Sequence, residues 1–241
     1  MRFLCEIFAV SSYCPITNLE HADSAYEWAF GELKGYEKMD FKNLDATSFN
    51  VRKEQFRSYL KSINFNDENF KNELKSVILK SANDELKNGK NLDEFSWLVI
   101  KNGVASDLNW SEYVGYIGRI KGVPAFDSFT LSSGENELFC DEKAKHFTKF
   151  SSEFLNSDKI ADELTIKLLN PMNFIAKTPV KFWRIRHGVK DSDTTIAVPF
   201  ILASRLKEQG KSVDFYAPWG QGHGGDYDLD ELFDWIDEIS K

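Results

Sequence analysis

His223 stands in the run PWGQGHGGDYD, with glycines at 220, 222, 224 and 225 around it. Glycine has no Cβ, so the backbone bends freely there and the imidazole is left uncrowded. An accessible imidazole suits proton transfer at neutral pH. Two carboxylates, Asp191 and Asp193, lie in the preceding run RHGVKDSD. Either can accept the Nδ1–H of a histidine and hold its ring in place as a general base. Side-chain chemistry alone does not choose between them, because each also suits the start of the helix that follows. Such a pair activates a hydroxyl or thiol for attack on a carbonyl carbon. The attacking group belongs on a sharp Gly-x-Ser-x-Gly turn. No Ser or Cys of the sequence has Gly at both −2 and +2.

The elements around these residues can be read from their patterns. FWRIRH (182–187) alternates its side chains as a strand, with Trp183 and Ile185 on one face. A helix over 194–209 follows, starting near Thr194 and ended by Gly210, and VDFYA (213–217) is the next strand. Leu229, Leu232, Phe233, Ile236 and Ile239 make one apolar stripe on a closing helix. Asp226 or Asp228 suits the start of that helix, where its dipole favours an acid. A right-handed strand–helix–strand crossover makes the two strands parallel. Their loops then open at one edge of the sheet, where open α/β sheets bind ligands. An acid after one strand and a His after the next is the order of the last two triad members of an α/β-hydrolase. EIFAVSS (6–12) reads as a further strand, ended near Pro15 and Asn18, and as a bare apolar sheet edge.

Between these strands the pattern is helical over 21–33, 51–63, 69–89, 110–122, 141–156 and 159–169. So long a segment is not a loop. The expected division is a first strand and turn over 1–19, an inserted helical lid over 20–168, and an α/β core over 169–241. The remaining ionisable residues read as structural or as surface groups. His187 ends a strand, His21 and His146 lie on the surface, and Arg184 and Arg186 pair with helix carboxylates. Lys121 and Glu135 flank GVPAFDSFTLSSG and from composition alone are surface charges. Cys5, Cys14 and Cys140 are an odd set with no CxxC, expected as reduced, buried thiols rather than metal ligands. A net charge of −8 argues against a nucleic-acid partner. No run approaches the roughly 20 apolar residues of a membrane span. MRFLCEIFAV is too short and is broken by Glu6, so it does not read as a signal peptide. Twenty Phe, six Trp and eight Tyr supply a core and suit an aromatic-lined pocket.

Four stretches resemble the bacterial tannase-like esterases, the subtype B tannases of the α/β-hydrolase superfamily. They are FAVSSYCPITNLEHADSAYEW (8–28), KGVPAFDSFTLSSGENELF (121–139), WRIRHGVKDSDTTIAVPFILASRL (183–206) and PWGQGHGGDYDLDELFDWI (218–236), about a third of the chain. The resemblance implies that Asp191 is the triad acid and His223 the triad base. It implies that Lys121, Glu135 and Asp193 contact the phenolic hydroxyls of an aromatic acid ester. It also implies the fold, the C-terminal part of an α/β-hydrolase with about three parallel strands and a large helical lid. In that family FAVSSYCPITNLEHAD follows the nucleophile Ser by some tens of residues, whereas here it begins almost at Met1. The elbow Ser and the oxyanion hole are therefore expected to lie outside this chain. Gly224 stands where the family has a Ser after the triad His.

The expected function is the C-terminal part of a serine carboxylic-ester hydrolase. It would need no cofactor or metal, and would be inactive alone for lack of the Ser. The implied partners are a small aromatic ester or hydroxybenzoate and an N-terminal hydrolase half. A non-catalytic aromatic-ligand binding module and a non-functional truncation are the alternatives.

Overall fold

The computed structural model describes residues 7–33 and 46–241. The chain begins β1 (Ala9–Tyr13), α1 (Leu19–Phe30), α2 (Ala46–Ser62), α3 (Asp67–Lys87), β2 (Leu98–Lys101), β3 (Val104–Leu108) and α4 (Trp110–Ile117). It continues α5 (Gly134–Leu138), α6 (Lys149–Phe154), α7 (Glu163–Leu169), a 3-10 turn (Pro171–Lys177), β4 (Phe182–Arg186), α8 (Ala197–Glu208), β5 (Ser212–Tyr216) and α9 (Leu229–Ile239). Cys5, and Glu6 at the start of the strand expected over 6–12, lie outside the described residues.

The main sheet is parallel, in the order β1-β4-β5. Tyr13, Arg186 and Tyr216 lie in one row of the register, so the three strands end together. Their following loops share one edge, as the crossover argument requires. Ile185 packs with Leu202, Ala203 and Leu206 of α8, and Trp183 and Val213 join the same cluster. Arg184 and Arg186 alternate with Ile185 and are buried on the central strand. Buried charges need partners. Arg184 pairs with Asp228 and reaches Glu231 at 4.0 Å. Arg186 pairs with Asp214 at 2.6 Å and Asp228 at 3.1 Å. Asp228 caps α9 without a side-chain cap hydrogen bond, because its carboxylate is taken by these arginines and by Tyr13 Oη at 2.6 Å.

A second core cluster runs from Leu19 of α1 through Phe56, Phe70, Trp97 and Tyr113 to Trp219 beyond β5. The helical segment and the sheet therefore share buried aromatic surface, at roughly 1.5–3 kcal/mol per large side chain. The α/β architecture with a parallel three-stranded sheet is as read from the sequence.

Several local expectations fail. The middle segment contains the antiparallel hairpin β2–β3, whose turn is Asn102-Gly103, with φ of 51° and 74°. The helix expected over 141–156 is only α6, started by Thr148, whose side chain accepts from Ser151 N. Before it, His146 bridges to Ile160 in extended form. His146 is not a surface residue: it is 1% exposed, with Nδ1 2.8 Å from Asp127 Oδ1. His21 stacks on Tyr59 at 3.8 Å and is largely withdrawn from solvent. Of the cysteines, Cys14 is buried but Cys140 is exposed.

Candidate active site

The loop after β4 and the loop after β5 touch through their backbones. Val189 N donates to Pro218 O at 3.0 Å, and Lys190 N to Gln221 O at 2.8 Å. Gly188 allows this approach, since a Cβ there would lie 2.3 Å from Gln221 O and 2.5 Å from Gly222 O. The crossing places His223 Nδ1 3.0 Å from Asp191 Oδ2. The His223 side chain is 43% exposed, whereas that of Asp191 is fully buried. The imidazole is thus anchored at one nitrogen and open to solvent elsewhere, the geometry of an oriented general base.

Asp191 is held from every side. Its Oδ1 accepts from Asp193 N at 2.8 Å and Thr194 N at 3.1 Å, and its Oδ2 from Thr194 Oγ1 at 3.2 Å. Burial opposes its ionisation, but the neighbouring His187 and the hydrogen bonds from His223, Cys14 and Thr194 outweigh it. The carboxyl is held below its ordinary range, so Asp191 is a carboxylate at neutral pH. The Asp191 carboxylate, and not that of Asp193, faces the His.

Cys14 follows β1 at the same edge, and its Sγ, an Asp191 oxygen and a His223 nitrogen lie within 4.8 Å of one another. Its thiol is not an activated nucleophile. Burial and the Asp191 charge push it up to about 11, so it stays protonated.

Lys121, Glu135 and Asp193 are each half-buried rather than fully surface-exposed. Lys121 Nζ lies over the Phe126 ring at 4.7 Å. Glu135 sits in the first turn of α5, which Ser133 caps by accepting from Asn136 N. These positions are anchored by buried polar groups that pattern reading passed over. Asp23 accepts from Phe126 N at 2.8 Å and Asp127 N at 3.3 Å. Glu27 takes the Arg119 guanidinium at 2.5 and 2.9 Å. Arg119 in turn donates to Lys121 O at 2.8 Å and Gly122 O at 2.7 Å. Asp127 accepts from Asn136 Nδ2, beside Glu135, at 2.8 Å. The signal was available: Asp23, Tyr26 and Glu27 are spaced i, i+3, i+4 on α1, one helix stripe.

A parallel sheet whose successive loops bring a buried carboxylate against a part-exposed histidine is the arrangement found in the α/β-hydrolase fold. Comparison with solved structures specifies it further. The chain is similar to the tannin acyl hydrolase of Lactobacillus plantarum, with a TM-score of 0.88 and 36% identity over 98% of this chain and 57% of that one. It is similar to the tannase of Fusobacterium nucleatum, with a TM-score of 0.84 and 41% identity over 98% of this chain and 59% of that one. A tannin acyl hydrolase in complex with ethyl gallate matches with a TM-score of 0.87 and 36% identity, over 98% and 57% respectively. The chain is similar to these tannases in fold and sequence over 98% of its length, and it spans less than two thirds of theirs. No protein-family model and no curated protein matches it.

Proposed function

We propose that this chain supplies the acid–base pair and the ring-reading groups of a tannase-like hydrolase acting on hydroxylated aromatic esters. The observation that carries the reading is the 3.0 Å contact between buried Asp191 and exposed His223. In this mechanism Asp191 accepts the Nδ1–H of His223 and fixes the tautomer. Nε2 then takes the proton of a serine hydroxyl as that oxygen attacks the ester carbonyl. The same proton passes to the leaving alcohol, and water repeats the cycle on the acyl-enzyme. Lys121 donates to ring hydroxyls, and Glu135 and Asp193 accept from them. A site built for hydroxyls rejects rings that lack them. Solved tannin acyl hydrolase complexes with 3,4-dihydroxybenzoate and with ethyl gallate support this ligand class.

The serine and its oxyanion hole come, on this reading, from a polypeptide segment outside these 241 residues. Residues 20–168 act as the lid. The 241 residues by themselves give negligible hydrolysis, since losing a triad member costs about 10⁴ or more in rate.

Binding and turnover test the two halves of the reading separately. Calorimetry with 3,4-dihydroxybenzoate should show binding that Lys121→Ala weakens at least tenfold. Ethyl gallate should be hydrolysed only when the chain is co-expressed with a hydrolase half carrying Gly-x-Ser-x-Gly, and His223→Ala should abolish that turnover. Hydrolysis by this chain alone, undiminished in His223→Ala, would overturn the assignment.

A further inference from the structure

We infer that Tyr26 is a positioning residue that locks the Lys121 loop to the loop of Asp191 and Asp193. Tyr26 is fully buried in α1. Its hydroxyl donates to Ser192 O at 2.8 Å. The same oxygen accepts from Lys121 N at 3.2 Å and Ile120 N at 3.3 Å. A phenol oxygen offers one donor and two acceptor sites, so these three bonds saturate it. Ser192 lies between Asp191 and Asp193, and one of the two amides is that of Lys121 itself. One atom therefore sets the distance between the chain segments that carry the proposed ring donor, the proposed ring acceptor and the acid.

The neighbouring stripe residues do not do this. Asp23 and Glu27 bond groups within 119–127 only, among the hydrogen bonds described above. Arg119 and Asp23 can hold the Lys121 side in place, but they do not relate it to the acid loop. Removing the Tyr26 hydroxyl leaves two amides and a carbonyl without the one partner they share in this part-buried junction, and the two loops lose the tie it makes between them. A displacement of about 1 Å suffices to spoil a site that reads ring hydroxyls by position. The consequence for ligands rests on the aromatic-ester reading above; the coupling of the loops does not.

The test uses the whole chain and the variant Tyr26→Phe, with Tyr59→Phe as control. Tyr59 also carries a bonded hydroxyl, which accepts from Asn18, away from both loops. Amide hydrogen exchange should quicken at 119–122 and at 191–194 together in Tyr26→Phe, and at neither in Tyr59→Phe. Affinity for 3,4-dihydroxybenzoate should fall about tenfold while affinity for benzoate holds, so discrimination narrows. Quickened exchange in one loop only, or in neither, overturns the coupling. Equal losses for both ligands would show Tyr26 to be merely structural and overturn the positioning role. If the unaltered chain binds neither ligand yet the two loops respond together, the coupling stands and the aromatic-ester reading falls.

Discussion

His187 shows how one residue can set the acid limit of this fold. It is 2% exposed, and its Nδ1 lies 3.6 Å from Asp191 Oδ2, beyond hydrogen-bond reach. Burial, with the nearby His223 adding to it, pushes its pKa down to about 4, against the upward pull of Asp191. The unfolded value is about 6.5. As pH falls below 6.5 the unfolded chain takes a proton that the native ring refuses, so the native state loses ground. The stability from His187 is fully present above pH 6.5 and declines until pH reaches about 4. Roughly 2 kcal/mol should disappear between pH 7 and pH 5 from this group alone. His21, pushed by burial to about 4, acts in the same direction. Urea melts at the two pH values should show this loss, and His187→Gln should remove a large part of it. An unchanged pH slope in His187→Gln would place the acid sensitivity elsewhere. At this scale the sequence was legible where spacing carried meaning. His223 among glycines and the Asp pair after a strand pointed to the contact that forms. His146 was not legible, because its partner Asp127 stands 19 residues away in a stretch that reads as loop.

At the scale of elements, the acid–His contact depends on how closely two loops cross. Gly188 is needed there for space: the backbone of Gln221 and Gly222 occupies the volume that any side chain would take. Gly188→Ala should therefore push the loop after β5 away from the loop after β4, breaking Lys190 N to Gln221 O and the reach of His223 to Asp191. The expected cost is about 1–3 kcal/mol, typical of overpacking against a rigid neighbour. A thermal melt would measure it. The ring resonances of His223 would show whether it still responds to Asp191→Asn, and a response surviving in the Gly188→Ala background would count against this account. The glycines around His223 were visible in the sequence. The role of Gly188 was not, because close approach between distant segments leaves no local pattern. The hairpin β2–β3 is the opposite case. Asn102-Gly103 between VIK and VAS is a type I′ turn signal. The helical patterns on either side obscured it. The helix expected over 141–156 failed because tertiary contacts hold its first half extended: His146 bridges to Ile160, and Asp127 collects the backbone amides of Phe147 and Thr148.

At the scale of the molecule, the described surface carries apolar area that nothing in it covers. In sequence α9 carries one apolar stripe, yet no α9 residue is buried, and Leu229, Phe233 and Ile236 are 43%, 61% and 39% exposed. Asp228 fixes the start of that helix on the sheet arginines, so its orientation is set by charge and its apolar face is left over. β1 pairs with β4 on one side and with no strand on the other among the described residues, and Ile7 and Phe8 are 60% and 57% exposed beside it. A strand edge with apolar flanks and an apolar helix face are surfaces that seek partners. They fit the additional hydrolase segment proposed above, which would extend the sheet from β1 and lie against α9. The chain alone should then self-associate through this area. Replacing Phe233 and Ile236 by Ser should lower that association in sedimentation experiments. Because both side chains are exposed, stability should change by no more than about 0.5 kcal/mol for each substitution. A loss of several kcal/mol in the double variant would mean that the stripe packs within the chain, and the docking surface would have to be sought elsewhere.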